Sequence, residues 1–189
     1  MANFTVVYDA CLFYPAPLRD LMVRLAQMRR FRARWTEEIH REWVVALARD
    51  RPDLDTRKLE RTVKMINDAV PDCLVTGYQH ITDQLILPDP GDRHVLAAAI
   101  RSGAQAIVTM NLKDFPEAVL DQFDIFPRHP DDFILDLADL EPAIVTTAVK
   151  HQRASLKNPP YEPDAFIERL RRQGLPALAA FLEDEIDLI

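Results

Sequence analysis

The stretch Phe4-Thr5-Val6-Val7-Tyr8-Asp9-Ala10-Cys11 decides the fold, because an aliphatic, β-branched run ends there in a carboxylate followed by two small residues. Such a run predicts a buried β-strand. In an open α/β sheet, functional groups collect outside the carboxyl ends of the strands, so Asp9 lies where a site is expected. Asp9 could equally turn the chain or cap the next element. The choice depends on whether other carboxylates reach the same place.

Length and composition bound the class of protein. With 189 residues, 48% of them hydrophobic, the chain can form one α/β domain plus an appendage. Its two cysteines are too few for a disulfide framework, which favours a reducing compartment. We see no signal peptide and no membrane-length apolar run, and therefore expect a cytoplasmic protein. A net charge of −7 argues against non-specific nucleic-acid binding, without excluding an enzyme that binds metal ions through carboxylates.

The order of the predicted elements indicates α/β with a central parallel sheet and right-handed crossovers. After the first strand, the sequence predicts a short strand with Phe31, Ala33 and Trp35 inward, a central strand over residues 105–109 and an edge strand over residues 124–126. From Pro130 onward the pattern is purely helical. We therefore expect a domain over residues 1–130 and a helical C-terminal extension over residues 131–189, whose first helix is capped by Asp131 or Asp132.

A second carboxylate comes from the helix that Thr36 caps. Glu42 lies on or beside the apolar face of this helix, so it is harder to dismiss than the acids of the first turn. Those acids, Glu37 and Glu38, favour the helix dipole and need no functional explanation. The alternative for Glu42 is a boundary residue that reaches water or pairs with Arg49 or Lys58.

Two further groups of polar residues flank the next helix and strand. Asp89 and Asp92 stand in a loop rich in proline and glycine before a strong helix; either could cap it, yet two aspartates exceed what one cap requires. Asn111 and Asp114 come after the central strand, again at a carboxyl end.

Four carboxylates therefore lie where this fold converges, namely those of Asp9, Glu42, Asp92 and Asp114. Clustered like charges repel, so they tolerate one another only with cations between them. Hard oxygen ligands without Cys or His at zinc spacing indicate Mg²⁺ or Mn²⁺. A divalent ion held by carboxylates suits the hydrolysis of phosphate esters.

Four segments in this order resemble the successive motifs of PIN-domain nucleases, and within that family the VapC-type toxins of toxin–antitoxin modules. They are Val6-Val7-Tyr8-Asp9-Ala10, Ile39-His40-Arg41-Glu42-Trp43, the stretch from Asp89 to Ala99, and the stretch from Ile107 to Phe115. The resemblance covers residues 4–130. It implies a three-layer α/β/α domain that cuts RNA with Mg²⁺ or Mn²⁺. It also implies that the protein is the toxin of a type II toxin–antitoxin pair, with an antitoxin protein as its partner. A homodimer is a further option.

The resemblance also implies roles for the acids. Asp9, Glu42 and Asp92 would be metal ligands, one of them activating the attacking water. Many members have an aspartate where this chain has Asn111, whereas others have asparagine there and an aspartate three residues later, as with Asp114 here. Asn111 can still coordinate through its carbonyl or hold a metal-bound water, and Asp114 would then complete the site. This substitution leaves open whether one or two metals bind.

Basic residues are the candidate contacts for RNA. Arg29, Arg30, Arg32 and Arg34 form the densest positive segment, with a solvated edge as the alternative, and Arg93 and Lys113 lie beside the acids. His94 could touch the substrate, but a histidine on the helix surface is the commoner situation, and the same holds for His40.

Two other functions remain open at this point. One is a catalytically weak binding or scaffold module that keeps the fold, an alternative motivated by Asn111 and the acidic composition. The other is an aspartyl-phosphate enzyme with Asp9 as nucleophile. Such sites generally need a second acid two residues later, where this chain has Cys11.

Overall fold

The computed structural model describes residues 4–189. Its strands are β1 (Thr5–Tyr8), β2 (Arg32–Arg34), β3 (Ala106–Val108) and β4 (Phe126–Arg128). The α-helices of this part of the chain are α1 (Ala10–Phe13), α2 (Ala16–Gln27), α3 (Glu37–Asp50), α4 (Thr56–Ala69), α5 (Gln79–Thr82), α6 (Arg93–Ser102), α7 (Glu117–Leu120), α8 (Pro130–Leu140), α9 (Pro142–Ser155), α10 (Pro163–Arg172) and α11 (Pro176–Asp184). Short 3-10 turns occupy Pro90–Asp92, Leu112–Asp114, Asp121–Phe123 and Ile186–Leu188.

The four strands form one parallel sheet in the order β2-β1-β3-β4. All four residues of β1 are buried, because helices cover both faces of a parallel sheet. The predicted α/β class with a central parallel sheet is therefore confirmed. β2 lies on one side of β1 and β3 on the other, so the direction of winding changes between β1 and β3. Ligand sites of open α/β sheets lie beyond the carboxyl ends of the strands at such a switch point.

Local sequence signals set the ends of the helices that lead to this point. The hydroxyl of Thr36 accepts a hydrogen bond from the N–H of Ile39 at 3.0 Å, which starts α3 as predicted. Gly103 ends α6 with a φ of 63°, a left-handed conformation that costs glycine nothing. Both helices turn apolar faces to the core, and α6 packs against β1 and β3.

A buried polar group joins α3 to α4. Trp43 Nε1 donates to His40 Nδ1 at 2.9 Å, so the proton of the neutral ring sits on Nε2, which donates to Asn67 Oδ1 at 2.9 Å. Trp35 Nε1 donates to the same oxygen at 2.8 Å. Burial lowers the pKa of His40, which favours this neutral form. The expectation of a surface histidine at position 40 is wrong, since its exposure is 2%.

The C-terminal helices α8 to α11 pack on the sheet domain through α2 and share its hydrophobic core. Phe133 meets Phe31 edge to face with ring centroids 5.0 Å apart, and the Gln152 amide donates to the carbonyl of Pro17 at 2.6 Å. The cap of α8 is His129, not Asp131 or Asp132 as expected. Asp131 instead accepts hydrogen bonds at the start of α11.

One strand boundary differs from the expectation. The last strand is β4, two residues later than expected, because Asp124 adopts a left-handed turn before it. Residues 73–75 form only an isolated bridge between Leu74 and Trp35. Over residues 4–189, no helix is long and apolar enough to cross a membrane.

Candidate active site

Asp9 is the first residue after β1, and its carboxylate is held by three donors. Oδ1 accepts the N–H of Ala10 at 2.6 Å, and Oδ2 accepts the Thr109 hydroxyl at 2.7 Å and the Cys11 thiol at 3.0 Å. Asp9 therefore does cap α1, and its carboxylate also accepts a hydrogen bond from Thr109, the residue after the neighbouring strand β3. Since a carboxylate has about four acceptor sites, room for one further ligand is left.

Thr109 fixes the switch point from the side of β3. Besides donating to Asp9, its hydroxyl accepts the N–H of Asn111 at 3.0 Å, and the N–H of Asp9 donates to the carbonyl of Val108 at 3.1 Å. The sequence did not predict Thr109 and Cys11 as residues that position Asp9. The sequence feature that could have identified Thr109 is its position at the end of an apolar run, which was expected to form a strand beside the first one.

Asp89 and Asp92 divide the two roles that the sequence left open. Asp89 Oδ1 accepts the N–H of Gly91 at 2.7 Å and so caps the short turn before α6. Asp92 precedes α6 without any capping hydrogen bond from its side chain. Its carboxylate is therefore free for another purpose.

The electrostatic surroundings of Asp92 show that several carboxylates converge. Its pKa is raised to about 7, first by burial and then by the negative charges of neighbouring carboxylates, which are those of Asp9, Asp89, Asp114 and Glu42. The structure thus brings Asp9, Asp114 and Glu42 within electrostatic reach of Asp92. A nearby cation would relieve this repulsion.

Glu42 is paired with a buried histidine. Its Oε1 lies 2.9 Å from His94 Nε2, and this bond joins α3 to α6. The pairing with Arg49 or Lys58 is not found, and His94 is buried at 3% exposure, so the expectation of a surface histidine is wrong. Burial alone would lower the pKa of His94, but the hydrogen bond and charge of Glu42 raise it above its ordinary value.

Glu38 also faces this site, which was not expected from the sequence. It stands one helical turn before Glu42, receives the Tyr78 hydroxyl at 2.9 Å, and has its Oε2 3.9 Å from His94 Nδ1. The i to i+4 spacing was the signal that placed both glutamates on one face of α3. Glu37, by contrast, is exposed, as expected for a residue that only favours the dipole.

The remaining predicted residues near the acids differ in exposure. Asp114 is half-buried on a 3-10 turn, and Asn111 and Lys113 beside it are exposed. Arg93 is half-buried as the first residue of α6.

Arg32 and Arg34 lie on the edge strand β2, beside β1. Arg32 pairs in register with Thr5 and Arg34 with Val7. At about 3.3 Å per residue, Arg32 stands roughly 13 Å below the level of Asp9. Arg30 is paired with Glu141 at 2.8 Å. By the same rise Arg34 stands roughly 7 Å below that level, so Arg30 and Arg32 are held away from the acids and Arg34 lies nearest to them.

The donor chemistry fits a hard divalent cation such as Mg²⁺ or Mn²⁺. The acids supply only oxygen, and the repulsion on Asp92 is the imbalance that such an ion corrects. As the side chains stand, no three His, Cys, Asp or Glu residues in the described range 4–189 are grouped closely enough to hold an ion. Binding would therefore need side-chain rotation by the less constrained acids, since Asp9 is fixed by its donors.

Comparison with known proteins identifies the family. A model described as PIN domain matches residues 5–113, more than half of the chain, and the chain belongs to the PIN domain family. A second model, described as VapC50 C-terminal domain, matches residues 130–184.

One curated relative is "Putative ribonuclease VapC50" of Mycobacterium tuberculosis (strain ATCC 25618 / H37Rv), which is 42% identical over 89 residues. The aligned part is 47% of this chain and 52% of the relative, so the chain spans about half the length of the curated relative that it matches. No solved structure gives a significant match. The predicted resemblance to PIN-domain proteins of the VapC type is confirmed.

Proposed function

We propose that the chain is a metal-dependent endoribonuclease that hydrolyses phosphodiester bonds of RNA. The observation that carries this proposal is the placement of Asp9, which is bonded across the β1/β3 switch point to Thr109 and shares its surroundings with other acids. Membership of the PIN domain family and the name of the VapC50 relative support the same activity.

Each acid has a distinct part in the proposed site. Asp9, oriented by its three donors, and Glu42, oriented by His94, would hold the ion together with Asp92. When bound, Mg²⁺ or Mn²⁺ neutralises charge on the scissile phosphate and lowers the pKa of a coordinated water. Asp114 is half-buried and is the carboxylate left to accept the proton of the attacking water.

Substrate contacts come from residues beside the acids in this proposal. Arg93 and Lys113 would bind phosphates of the RNA backbone, and Asn111 would hold a water or the ion through its carbonyl. Because His94 is buried, it acts by positioning Glu42 instead of contacting RNA. Phosphate contacts set affinity and carry no information about the RNA sequence.

The biological setting proposed here is that of a toxin inhibited by an antitoxin protein. The VapC50 relative and the match of the C-terminal helices to the VapC50 C-terminal domain support it. We further propose that the chain divides into two parts near residue 130. A cytoplasmic location is consistent with the free thiols of Cys11 and Cys73. A homodimer is the oligomeric state to test by light scattering.

A second candidate is a scaffold module that keeps the fold and lacks catalysis. It is favoured by the absence, within residues 4–189, of any three acids already grouped as an ion requires, and by the amide of Asn111. Calorimetric titration with MnCl₂ separates the two candidates. Binding with a Kd of about 1 mM or tighter supports the enzyme, and no heat of binding supports the scaffold.

The test of activity is cleavage of a total RNA pool with Mg²⁺ or Mn²⁺. We expect cleavage by the unmodified protein and none by Asp9→Asn or Asp92→Asn. Asp89→Asn is the matched control, because asparagine caps a helix as well as aspartate does and Asp89 already acts as a cap. If the unmodified protein cuts no RNA and binds no divalent ion, the proposal fails.

A further inference from the structure

Strand β2 presents unpaired backbone groups on its outer edge. The N–H of Arg32 donates to the carbonyl of Phe4 at 2.8 Å, and Arg32 and Arg34 face β1 in the ladder. In a parallel pair, alternate residues face opposite edges, so the N–H and C=O of Ala33 point away from β1. Within the described chain, β2 pairs with β1 alone along this stretch, and the outward groups of Ala33 remain without a partner.

The next outward position shows what these groups can bind. The N–H of Trp35 donates to the carbonyl of Cys73 at 3.0 Å, and the carbonyl of Trp35 accepts the N–H of Val75 at 2.8 Å. Residues 73–75 thus form a short fifth strand that runs parallel to β2 with Leu74 level with Trp35, so an N-terminal extension of this strand would lie beside Ala33. The edge is half covered, and the uncovered half lies beside Ala33.

A groove occupies the place where this fifth strand would continue. Its volume is about 550 Å³, and its walls are the end of α2, the strand β2 and the residues just after α4. Apolar side chains on these walls, such as Phe31 and Val70, are buried at 4% and 5% exposure. The groove therefore offers backbone partners on one side and apolar walls around them.

The groove is also positively charged, in a protein with a net charge of −7. Arg29, Arg32 and Arg34 line it, and one carboxylate, that of Asp72, lies among the lining residues. No salt bridge involves these three arginines in the part of the chain that the structure describes. Elsewhere arginines are paired, as Arg171 and Arg172 are with Glu168, so this groove has charge left for a ligand.

We propose that this groove binds an extended acidic segment of a partner protein, which adds to β2 as the continuation of the fifth strand. Main-chain hydrogen bonds to Ala33 would give affinity, as in other cases of strand addition. The partner residue opposite Ala33 is apolar in this arrangement, and its neighbour opposite Arg32 is acidic. The position opposite Arg34 is already taken by Cys73, and Arg34 and Arg29 contribute positive charge as lining residues of the same groove. The interaction goes beyond the proposed nuclease function and does not depend on it.

The same features disfavour other occupants. The phosphate oxygens of an RNA backbone only accept hydrogen bonds and cannot pair with the carbonyl of Ala33, whereas a peptide strand supplies a backbone N–H at regular spacing. By strand geometry, Arg32 and Arg34 stand roughly 13 and 7 Å below the level of Asp9. A second copy of this chain, edge to edge, would bring two sets of Arg29, Arg32 and Arg34 together. Like charges placed opposite each other destabilise a strand pair.

Fluorescence polarisation with the labelled peptide Ac-Glu-Val-Glu-Val-Glu-NH₂ tests the proposal on the full chain. We expect micromolar binding, weakened about tenfold or more by Arg32→Glu and by Arg29→Glu. Lys150→Glu is the matched control, since Lys150 is exposed on α9 and the same charge is reversed there. The peptide Ac-Lys-Val-Lys-Val-Lys-NH₂ should not bind.

Amide hydrogen exchange locates the peptide independently of the variants. The N–H of Ala33 should become protected when the acidic peptide is present and remain unprotected with the lysine peptide. The proposal is overturned if the acidic peptide does not bind at about 1 mM, if Lys150→Glu weakens it as much as Arg32→Glu, or if Ala33 gains no protection. It is equally overturned if a labelled decauridylate displaces the peptide and loses affinity in Arg32→Glu.

Discussion

Asp9 and Asp131 are both buried aspartates at 5% exposure, and both accept hydrogen bonds from the start of a helix. Asp131 Oδ2 and Oδ1 accept the N–H groups of Ala177 and Leu178, each at 2.8 Å, so both oxygens serve the first turn of α11. There the helix dipole compensates the charge. Asp9 has acceptor capacity left and other carboxylates around it. Burial and hydrogen bonding therefore do not distinguish a site from a structural cap, whereas surplus negative charge does.

The largest expected difference between the two aspartates is in catalysis. Asp9→Asn should lower RNA cleavage about 100- to 1000-fold or more, because it removes a carboxylate proposed to hold the cation that stabilises the transition state. Asp131→Asn should leave the rate constant within about twofold, since Asp131 lies at the junction of α8 and α11. Initial rates on a labelled RNA in Mn²⁺, with circular dichroism as a check of folding, measure both. Equal losses in the two variants would contradict the comparison.

Stability should show the reverse order. Asp131→Ala leaves two N–H groups of α11 without an acceptor and should lower the free energy of unfolding by about 2 kcal/mol. Asp9→Ala also loses hydrogen bonds, but it relieves the repulsion that raises the pKa of Asp92 to about 7. Its loss should therefore be smaller. Urea unfolding at pH 7 gives both values, and a larger loss for Asp9→Ala would show that Asp9 is mainly structural.

The contribution of the switch point itself is tested by Thr109→Val, which removes the hydroxyl bonded to Asp9 Oδ2 at 2.7 Å. We expect a loss of about 10- to 100-fold in metal affinity or activity, as for other residues that orient a ligand. Thr146→Val is the control, because Thr146 is also buried and its hydroxyl only bonds the backbone of its own helix. If the two substitutions had equal effects, Thr109 would have no special role in positioning Asp9.

The smallest expected effect is in thiol reactivity. Burial first, and then the charge of Asp9, raise the pKa of the Cys11 thiol, so Asp9→Asn should accelerate its alkylation by iodoacetamide. Cys73, whose pKa burial raises to about 11, is the internal reference, and Asp131→Asn should change neither rate. Mass spectrometry of peptides after timed alkylation at pH 8 measures this. An unchanged rate at Cys11 would show that the charge of Asp9 does not reach the thiol.

The sequence predicted those parts of the molecule that local chemistry determines. The β-branched run before Asp9, the cap at Thr36 and the glycine after α6 each carry their own signal, and the structure has the elements they predict. The convergence of the acids was expected from the rule that sites lie at the carboxyl ends of parallel strands. For this reason the three other predicted acids fall within electrostatic reach of Asp92.

The features that the sequence did not predict depend on tertiary contacts. Asp131 sits in the first turn of its own helix, where capping is the obvious expectation, but its partners lie 46 and 47 residues away. His94 was expected at the surface because Glu42, which pairs with it, belongs to α3, 52 residues earlier. Neither contact has a local pattern, since each is set by how helices pack.

The strand order determines at which point during protein synthesis the site can form. Because β1 lies between β2 and β3, the hydroxyl that fixes Asp9 is supplied by a residue 100 positions later in the chain. At about 5–20 residues per second, synthesis of that interval takes roughly 5–20 s. A nascent chain therefore carries Asp9 and Glu42 outside the ribosome before it can assemble them, and the segment from Thr109 to Asp114, just after β3, is the last part of the site to be synthesised.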